Sequence, residues 1–311
     1  MINHYEPEGM LLASGENHEY LSSRAGLEKA LEKQKILESV ALLCDSHFNL
    51  HFDLGGTKGI MPREEVAYLP SGEDVKDIAV LTRVGKPVCF KIIGFSRGDD
   101  GSLCAILSRR AAQRECTLHY ISTLVAGDVI PAVVTHLENF GAFVDIGCGI
   151  VSLLSIDSIS VSRISHPRVR FSPGDRILAV VKNIDEYGRI YMTHRELLGT
   201  WEENAVLFAP GQTVAGVVRS IENYGVFVEL TPNLAGLAEL KEGVEINQSA
   251  AVYIKSIIPE KMKIKLIIID SHMTAPPSKP MRYFVDPKAQ SHIGRWCYSP
   301  ACCARVIESV F

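Results

Sequence analysis

Long apolar runs are missing from this sequence: no stretch of about 18 or more consecutive apolar residues occurs, so no segment is built as a membrane-spanning helix. The opening, MINHYEPEGM, carries Glu6 and Glu8 where a signal peptide would carry Lys and Arg, and a cytoplasmic location is expected. Cysteine is sparse. Eight scattered through 311 residues do not make the dense framework of a small secreted domain, so they are expected as reduced thiols, mostly core filler. An excess of basic charge is also absent, with 32 Lys and Arg against 36 Asp and Glu and a formal net charge of −4. Phosphate contacts need cations, so any nucleic-acid binding must be local and modest.

Catalytic signatures are lacking too. Gly55-Gly56-Thr57-Lys58-Gly59 does not have the spacing of a phosphate loop, and neither GxSxG nor HExxH occurs. Neither enzymatic activity nor a cofactor is expected. The one grouping that invites zinc is Cys297, Cys302 and Cys303 with His292 upstream, but structural sites favour Cys pairs two to four residues apart. A four-residue gap followed by an adjacent pair fits that poorly, and no metal is expected.

What is present is an apolar fraction of 47%, enough for a real core in two or three domains, and an internal repeat. DVIPAVVTHLENFGAFVDIGCGIVSLL at 128–154 lies over QTVAGVVRSIENYGVFVELTPNLAGLAEL at 212–240, with Glu138-Asn139-Phe140-Gly141 on Glu222-Asn223-Tyr224-Gly225 and Phe143 on Phe227. Both copies alternate apolar and polar residues, turn, and alternate again, as half-buried antiparallel strands do. Further β pairs close each copy, at 177–192 and 250–269. Five short strands in about 70 residues suit a small closed barrel, which leaves no exposed sheet edge. A fainter copy precedes them: SHFNLHFDLGGTKGIMP at 46–62 sets Asp53-Leu54-Gly55 where the middle copy has Asp145-Ile146-Gly147. Ahead of it, Arg24 to Leu43 carries Leu, Ala, Glu and Lys at helical spacing and predicts one amphipathic helix.

FGAFVDIG at 140–147, the loop SRISHPRVRF at 162–171 and GDRILAVVKNIDEYGRI at 174–190 together resemble the S1 repeat, the RNA-binding OB module first described in the bacterial small-subunit ribosomal protein S1. The resemblance covers roughly residues 37 to 270. It implies a mainly β chain of three tandem five-stranded OB barrels. The organisation it suggests is an N-terminal helical segment at 1–34, a degenerate S1-like barrel at 35–115, an S1 barrel at 124–198, a short S1 barrel at 209–270 and a C-terminal tail at 271–311. In this family the RNA face carries two aromatics on the second strand, a polar residue on the third, and an Asp and an Arg near the last hairpin. Phe140, Phe143, Ser152, Asp185 and Arg189 stand at those positions in the middle unit.

The residues support that face independently. Val134, Ala142 and Val144 suit a barrel interior, while Phe140 and Phe143 flank a glycine that lets a base approach. Stacking is worth about 1–3 kcal/mol per base and tolerates any sequence. Both rings as ordinary core residues is the competing reading. Arg189 suits a phosphate, with Asp185 orienting it or accepting from a base, or the two form a plain surface ion pair in a turn. The loop at 162–170 supplies Arg163, His166 and Arg168, either for phosphates and bases or as solvated charges.

The third unit keeps Tyr224 and Phe227, sets Lys263 where Arg189 stood, and adds Lys255, Lys261 and Lys265, which could track a backbone. Glu239 takes the place of Ser152 there, and Ile258-Pro259 displaces the Asp. In the first unit only Phe48 survives clearly, His51 replaces the second aromatic and Ser102 takes the place of Arg189, so it is expected to bind protein. Pro276, Pro277 and Pro280 predict a linker, after which the aromatic C-terminal segment must dock somewhere. Two functions stay open: a single-stranded RNA binder of translation, contacting mRNA and the 30S ribosomal subunit, or an adaptor whose barrels bind protein. No membrane partner is implied, and the sequence does not give an oligomeric state.

Overall fold

The computed structural model describes residues 5–69, 73–97, 102–273 and 281–311. Pro276, Pro277 and Pro280 lie outside the described residues. The chain is mainly β and forms three successive small sheets of OB order with short helices at its start.

The middle unit is the most regular. Strands β7 (Val129–Glu138), β8 (Gly141–Asp145), β9 (Val151–Ser155), β10 (Arg176–Ile184) and β11 (Ile190–Thr193) close in the order β10-β11-β9-β8-β7. The pleat sends alternate residues inward, and Val134, Ala142, Val144, Leu154, Ala179, Val181 and Met192 fill the interior. The third unit repeats this with β12 (Thr213–Glu222), β13 (Gly225–Thr231), β14 (Leu234–Ala238), β15 (Ser249–Ile258) and β16 (Lys263–His272), closed as β12-β13-β14-β16-β15.

The first unit has six strands: β1 (Leu37–Val40), β2 (Leu43–Cys44), β3 (Leu50–Leu54), β4 (Thr57–Met61), β5 (Pro87–Arg97) and β6 (Leu103–Ser108), ordered β1-β5-β6-β4-β3-β2. This is the same circuit with the opening strand broken in two. Ala41 still bonds to the β5 side, through Lys86, whereas the Leu42 N–H turns to the carbonyl of His51 on β3.

One helix over Arg24–Leu43 is not what forms. Helix α1 (Gly15–Leu21) and α2 (Arg24–Glu32) are separate, Gln34 turns the chain with φ of 53°, and Leu37 begins a strand. Glu38, inside the stretch expected as helix, is buried on β1, where its carboxylate accepts the N–H groups of Gly9, Leu11 and Leu12. A further short helix, α3 (Asp77–Leu81), precedes β5. Helix α4 (Arg109–His119), capped by Ser108, then follows β6 directly.

The units are joined by polar contacts shielded from water. Between the first and middle barrels, the Glu8 carboxylate takes Arg109 Nε at 2.6 Å and Nη2 at 3.0 Å, and Arg109 also donates to the carbonyls of Val66 and Gly149. Between the middle and third barrels lie α5 (Trp201–Ala205) and the C-terminal segment, which docks here: Ile293, Trp296 and Tyr298 enter the third barrel's apolar cluster. Strands β17 (Arg295–Cys297) and β18 (Glu308–Val310) close that segment into a ribbon. Tyr283 meets the fully buried His194 of the middle unit at 3.2 Å. Burial pushes the His194 pKa down to about 4; its Nδ1 faces the Ile159 carbonyl, so Nδ1 carries the hydrogen and Nε2 accepts from Tyr283.

Candidate nucleic-acid interface

Residues paired across neighbouring strands project to the same side of a sheet. In the middle barrel this rule traces one outward row over all five strands. His136 pairs with Phe143, Phe143 with Leu153, Leu153 with Tyr191, and Tyr191 with Asn183. At its rim stands Phe140, 55% exposed, held edge to face against Phe143 with ring centroids 6.0 Å apart and planes at 89°. His136 stacks on Phe143 at 6.4 Å. An apolar ring left in water at the end of a strand is available for stacking, and the core reading of Phe140 does not hold.

Gly141, between the two aromatics, is required by close packing: a Cβ there would sit 2.5 Å from the Leu154 carbonyl oxygen. Across from it lies Ser155, in direct register. Ser152, assigned to the face from sequence, is 4% exposed and its Oγ donates to the Ile190 carbonyl at 2.5 Å, inside the barrel wall. Register explains the difference: Ser152 pairs with interior Val144, whereas Ser155, three residues on, is the polar side chain opposite Gly141. Ser155 Oγ donates to Ser158 Oγ at 2.9 Å, and Ser158 Oγ also takes Lys182 Nζ at 3.1 Å.

Lys182 was not singled out in the sequence. It sits where β10 slips register against β11, between Val181 and Asn183, and alternation from interior Val181 turns it outward. The third barrel slips at the same point, between Ile254 and Ser256, so Lys255 is its equivalent. Ile93 takes this position in the first unit.

At the last hairpin of the middle barrel, Asp185 Oδ1 accepts the N–H groups of Tyr187 and Arg189, and Oδ2 takes Arg189 Nε at 2.7 Å. Partial desolvation alone would raise the Asp185 pKa, but these N–H donors outweigh it and hold the carboxyl below its ordinary value. Its oxygens are engaged with the turn, so Asp185 orients Arg189. The guanidinium lies 5.1 Å from the ring of Tyr187, itself 75% exposed. Tyr187 and Tyr191 are face residues that the sequence reading passed over, because neither falls in the repeated strand pair.

The loop after β9 divides. Arg163 and Arg168 are exposed and His166 half-buried, its Nδ1 accepting from the Arg168 backbone N–H at 3.0 Å and from Arg168 Nε at 3.2 Å. Arg170 instead turns inward to Glu229 of the third barrel, and the Val161 N–H donates to Asn233. Half of this loop is therefore a joint between barrels.

In the third barrel Tyr224, 69% exposed, meets Phe227 at 6.1 Å and 89°, the geometry of Phe140 and Phe143. The outward row runs Ser220, Phe227, Leu237, Lys265, Ser256, with Lys263 exposed beyond it. Register also moves Glu239: extending the Val226 and Ala238 pair by one residue sets it opposite Gly225, the place of Ser155, not of Ser152.

The first unit's equivalent row is Leu43, His51, Ile60, Ile106 and Gly94. Phe48 is covered by Arg63 at 5.4 Å, His51 Nε2 is held by Asp45 at 2.9 Å, and register sets buried Cys104, not Ser102, where Arg189 stands. Among the described residues no group of three or more His, Cys, Asp or Glu is arranged to hold a metal ion.

The family described as S1 RNA binding domain matches residues 123–195. The small ribosomal subunit protein bS1 of Rhodopseudomonas palustris is 31% identical over 196 residues, covering 61% of this chain and 33% of that protein. The bS1 homolog of Bacillus cereus is 28% identical over 230 residues, covering 70% and 55%. A multidomain protein with nucleic acid binding domains from Streptococcus pneumoniae aligns over 76% of this chain and 74% of its own, at 16% identity and a TM-score of 0.25. The chain spans from one third to about half of the length of these ribosomal relatives. The matched segment, residues 123–195, folds as the closed barrel β7 to β11, so this unit of the chain is similar to the S1 RNA binding domain.

Proposed function

We propose that this chain is a single-stranded RNA-binding protein of the translation machinery, gripping mRNA with its middle and third barrels and associating with the small ribosomal subunit. The observation that carries the reading is the exposed edge-to-face aromatic pair, repeated in two barrels at 6.0 and 6.1 Å and bordered in each by a lysine at a strand bulge. Unstacked bases lie on such rings while Arg189, Lys182, Lys255 and Lys263 meet phosphates. The ribosomal part rests on relatives named as small-subunit proteins. The chain acts by binding, in the cytoplasm, and any chemistry on the RNA belongs to a partner.

A second role fits the first unit. Its row has Leu43 and Ile106 where the middle row has His136 and Tyr191, and Ile93 in place of the bulge lysine, a composition suited to protein contact.

The test is binding of a fluorescent single-stranded RNA across a salt series, with a duplex of the same sequence as control. The single strand binds with an affinity that falls linearly in log salt, the duplex binds weakly, and Arg189→Ala lowers the slope by about one. Equal binding of strand and duplex, or none at low salt, contradicts the proposal.

A further inference from the structure

We infer that the third barrel discriminates between bases where the middle barrel does not, and that Glu239 makes it select guanine. This rests on the RNA-binding reading above and adds to it the class of base that one of the two faces prefers.

The two faces share aromatics, bulge lysine and a strand-two glycine, but differ at the one polar position facing that glycine. In the middle barrel it is Ser155, a neutral hydroxyl opposite Gly141. In the third it is Glu239, exposed at the end of β14 and opposite Gly225. Gly225 leaves no side chain in between; a Cβ there would lie 2.4 Å from the Ala238 carbonyl oxygen. Glu239 therefore lies across the strand from the glycine that separates Tyr224 from Val226 and Phe227, on the side where a stacked base would present an edge.

Glu239 makes no hydrogen bond or ion pair among the described residues. Its neighbour Lys241 does not neutralise it: Lys241 Nζ donates to the carbonyls of Ile268 and Ile269, at 3.2 and 2.6 Å. Glu229 provides the contrast, a carboxylate in the same barrel fully spent on Arg170 and Arg219.

An ionised carboxylate only accepts hydrogen bonds, through two oxygens side by side. The Watson–Crick edge of guanine offers two adjacent donors, N1–H and the N2 amino group, which match them. Adenine and cytosine offer one amino group next to a ring acceptor, and uracil one N–H between two carbonyls that repel the carboxylate. In a single strand these edges are open to be read. A bidentate pair discriminates between bases, and on an exposed face the expected preference is about tenfold.

The experiment titrates the full chain, carrying Phe140→Ala and Phe143→Ala to silence the middle face, with fluorescent 12-nucleotide RNAs: oligouridine, and alternating uridine with guanosine, inosine or adenosine. The guanosine strand binds about tenfold tighter than the adenosine strand, and inosine, which lacks the N2 amino group, falls between. Glu239→Gln abolishes the preference while slightly strengthening binding to oligouridine, since a negative charge leaves the phosphate path. If Glu239→Gln strengthens all strands equally, the carboxylate only repels RNA and the selectivity is refuted while RNA binding stands. If this chain binds none of the strands although the chain with Phe140 and Phe143 intact does, the third face is not a binding face and the inference falls with it. No binding by either chain overturns the RNA-binding reading itself.

Discussion

Arg170, from the loop after the third strand of the middle barrel, and Glu229, on the second strand of the third barrel, form an ion pair with both side chains about 5% exposed. Arg219 completes it with two bonds of 3.0 Å to the same carboxylate. A pair so shielded adds little net stability over an apolar contact, yet leaving either guanidinium without its counter-charge is costly. Glu229→Ala is expected to destabilise the full chain by about 3–5 kcal/mol in urea unfolding. A cost below about 1 kcal/mol shows that the two arginines find water and the joint is loose.

The C-terminal segment is expected to hold the third barrel by packing. Trp296 is buried in that barrel's cluster, while its indole N–H has no hydrogen-bond partner among the described residues. Trp296→Ala should cost about 3–5 kcal/mol, and Trp296→Phe much less, since it also removes an unsatisfied donor. Thermal unfolding of both variants checks this, and equal losses contradict it.

Two carboxylates near the junction of the first barrel respond to pH in opposite senses. Burial pushes the Glu38 pKa up to about 7 from 4.5, so the folded chain keeps a proton that the unfolded chain releases. Its contribution is complete below about pH 4.5 and disappears as pH rises through 7. For Glu8 burial pulls upward, but the Arg109 guanidinium outweighs it and the pKa falls below its ordinary value. That contribution is present above the ordinary carboxylate range and is lost in acid. Urea midpoints measured from roughly pH 4 to 8 should decline at both ends, and Glu38→Gln should flatten only the alkaline decline. An unchanged profile for Glu38→Gln contradicts the assignment.

Periodicity of two and the repeat made the strand pairs of the middle and third barrels legible in the sequence, along with the rings at Phe140, Phe143, Tyr224 and Phe227. What stayed hidden has particular causes. Ser152 and Ser155 share a residue type, so only register separates the hydroxyl inside the barrel wall from the half-buried one opposite Gly141. Lys182 follows interior Val181 in ordinary alternation, and nothing in composition marks one exposed lysine as lying beside the face. Leu37–Val40 read as helix because the group that Glu38 serves, the N–H run of residues 9 to 12, lies far away in sequence.

The central claim is that the paired aromatics are a stacking face, and two double variants of the full chain test it most directly: Phe140→Ala with Phe143→Ala, and Tyr224→Ala with Phe227→Ala. Titrated with a fluorescent single-stranded RNA at fixed salt, each should lose about 2 kcal/mol or more of binding free energy while its unfolding midpoint changes little, because Phe140 and Tyr224 stand in water. Undiminished RNA affinity in both variants would contradict the account and leave these rings without a part in binding.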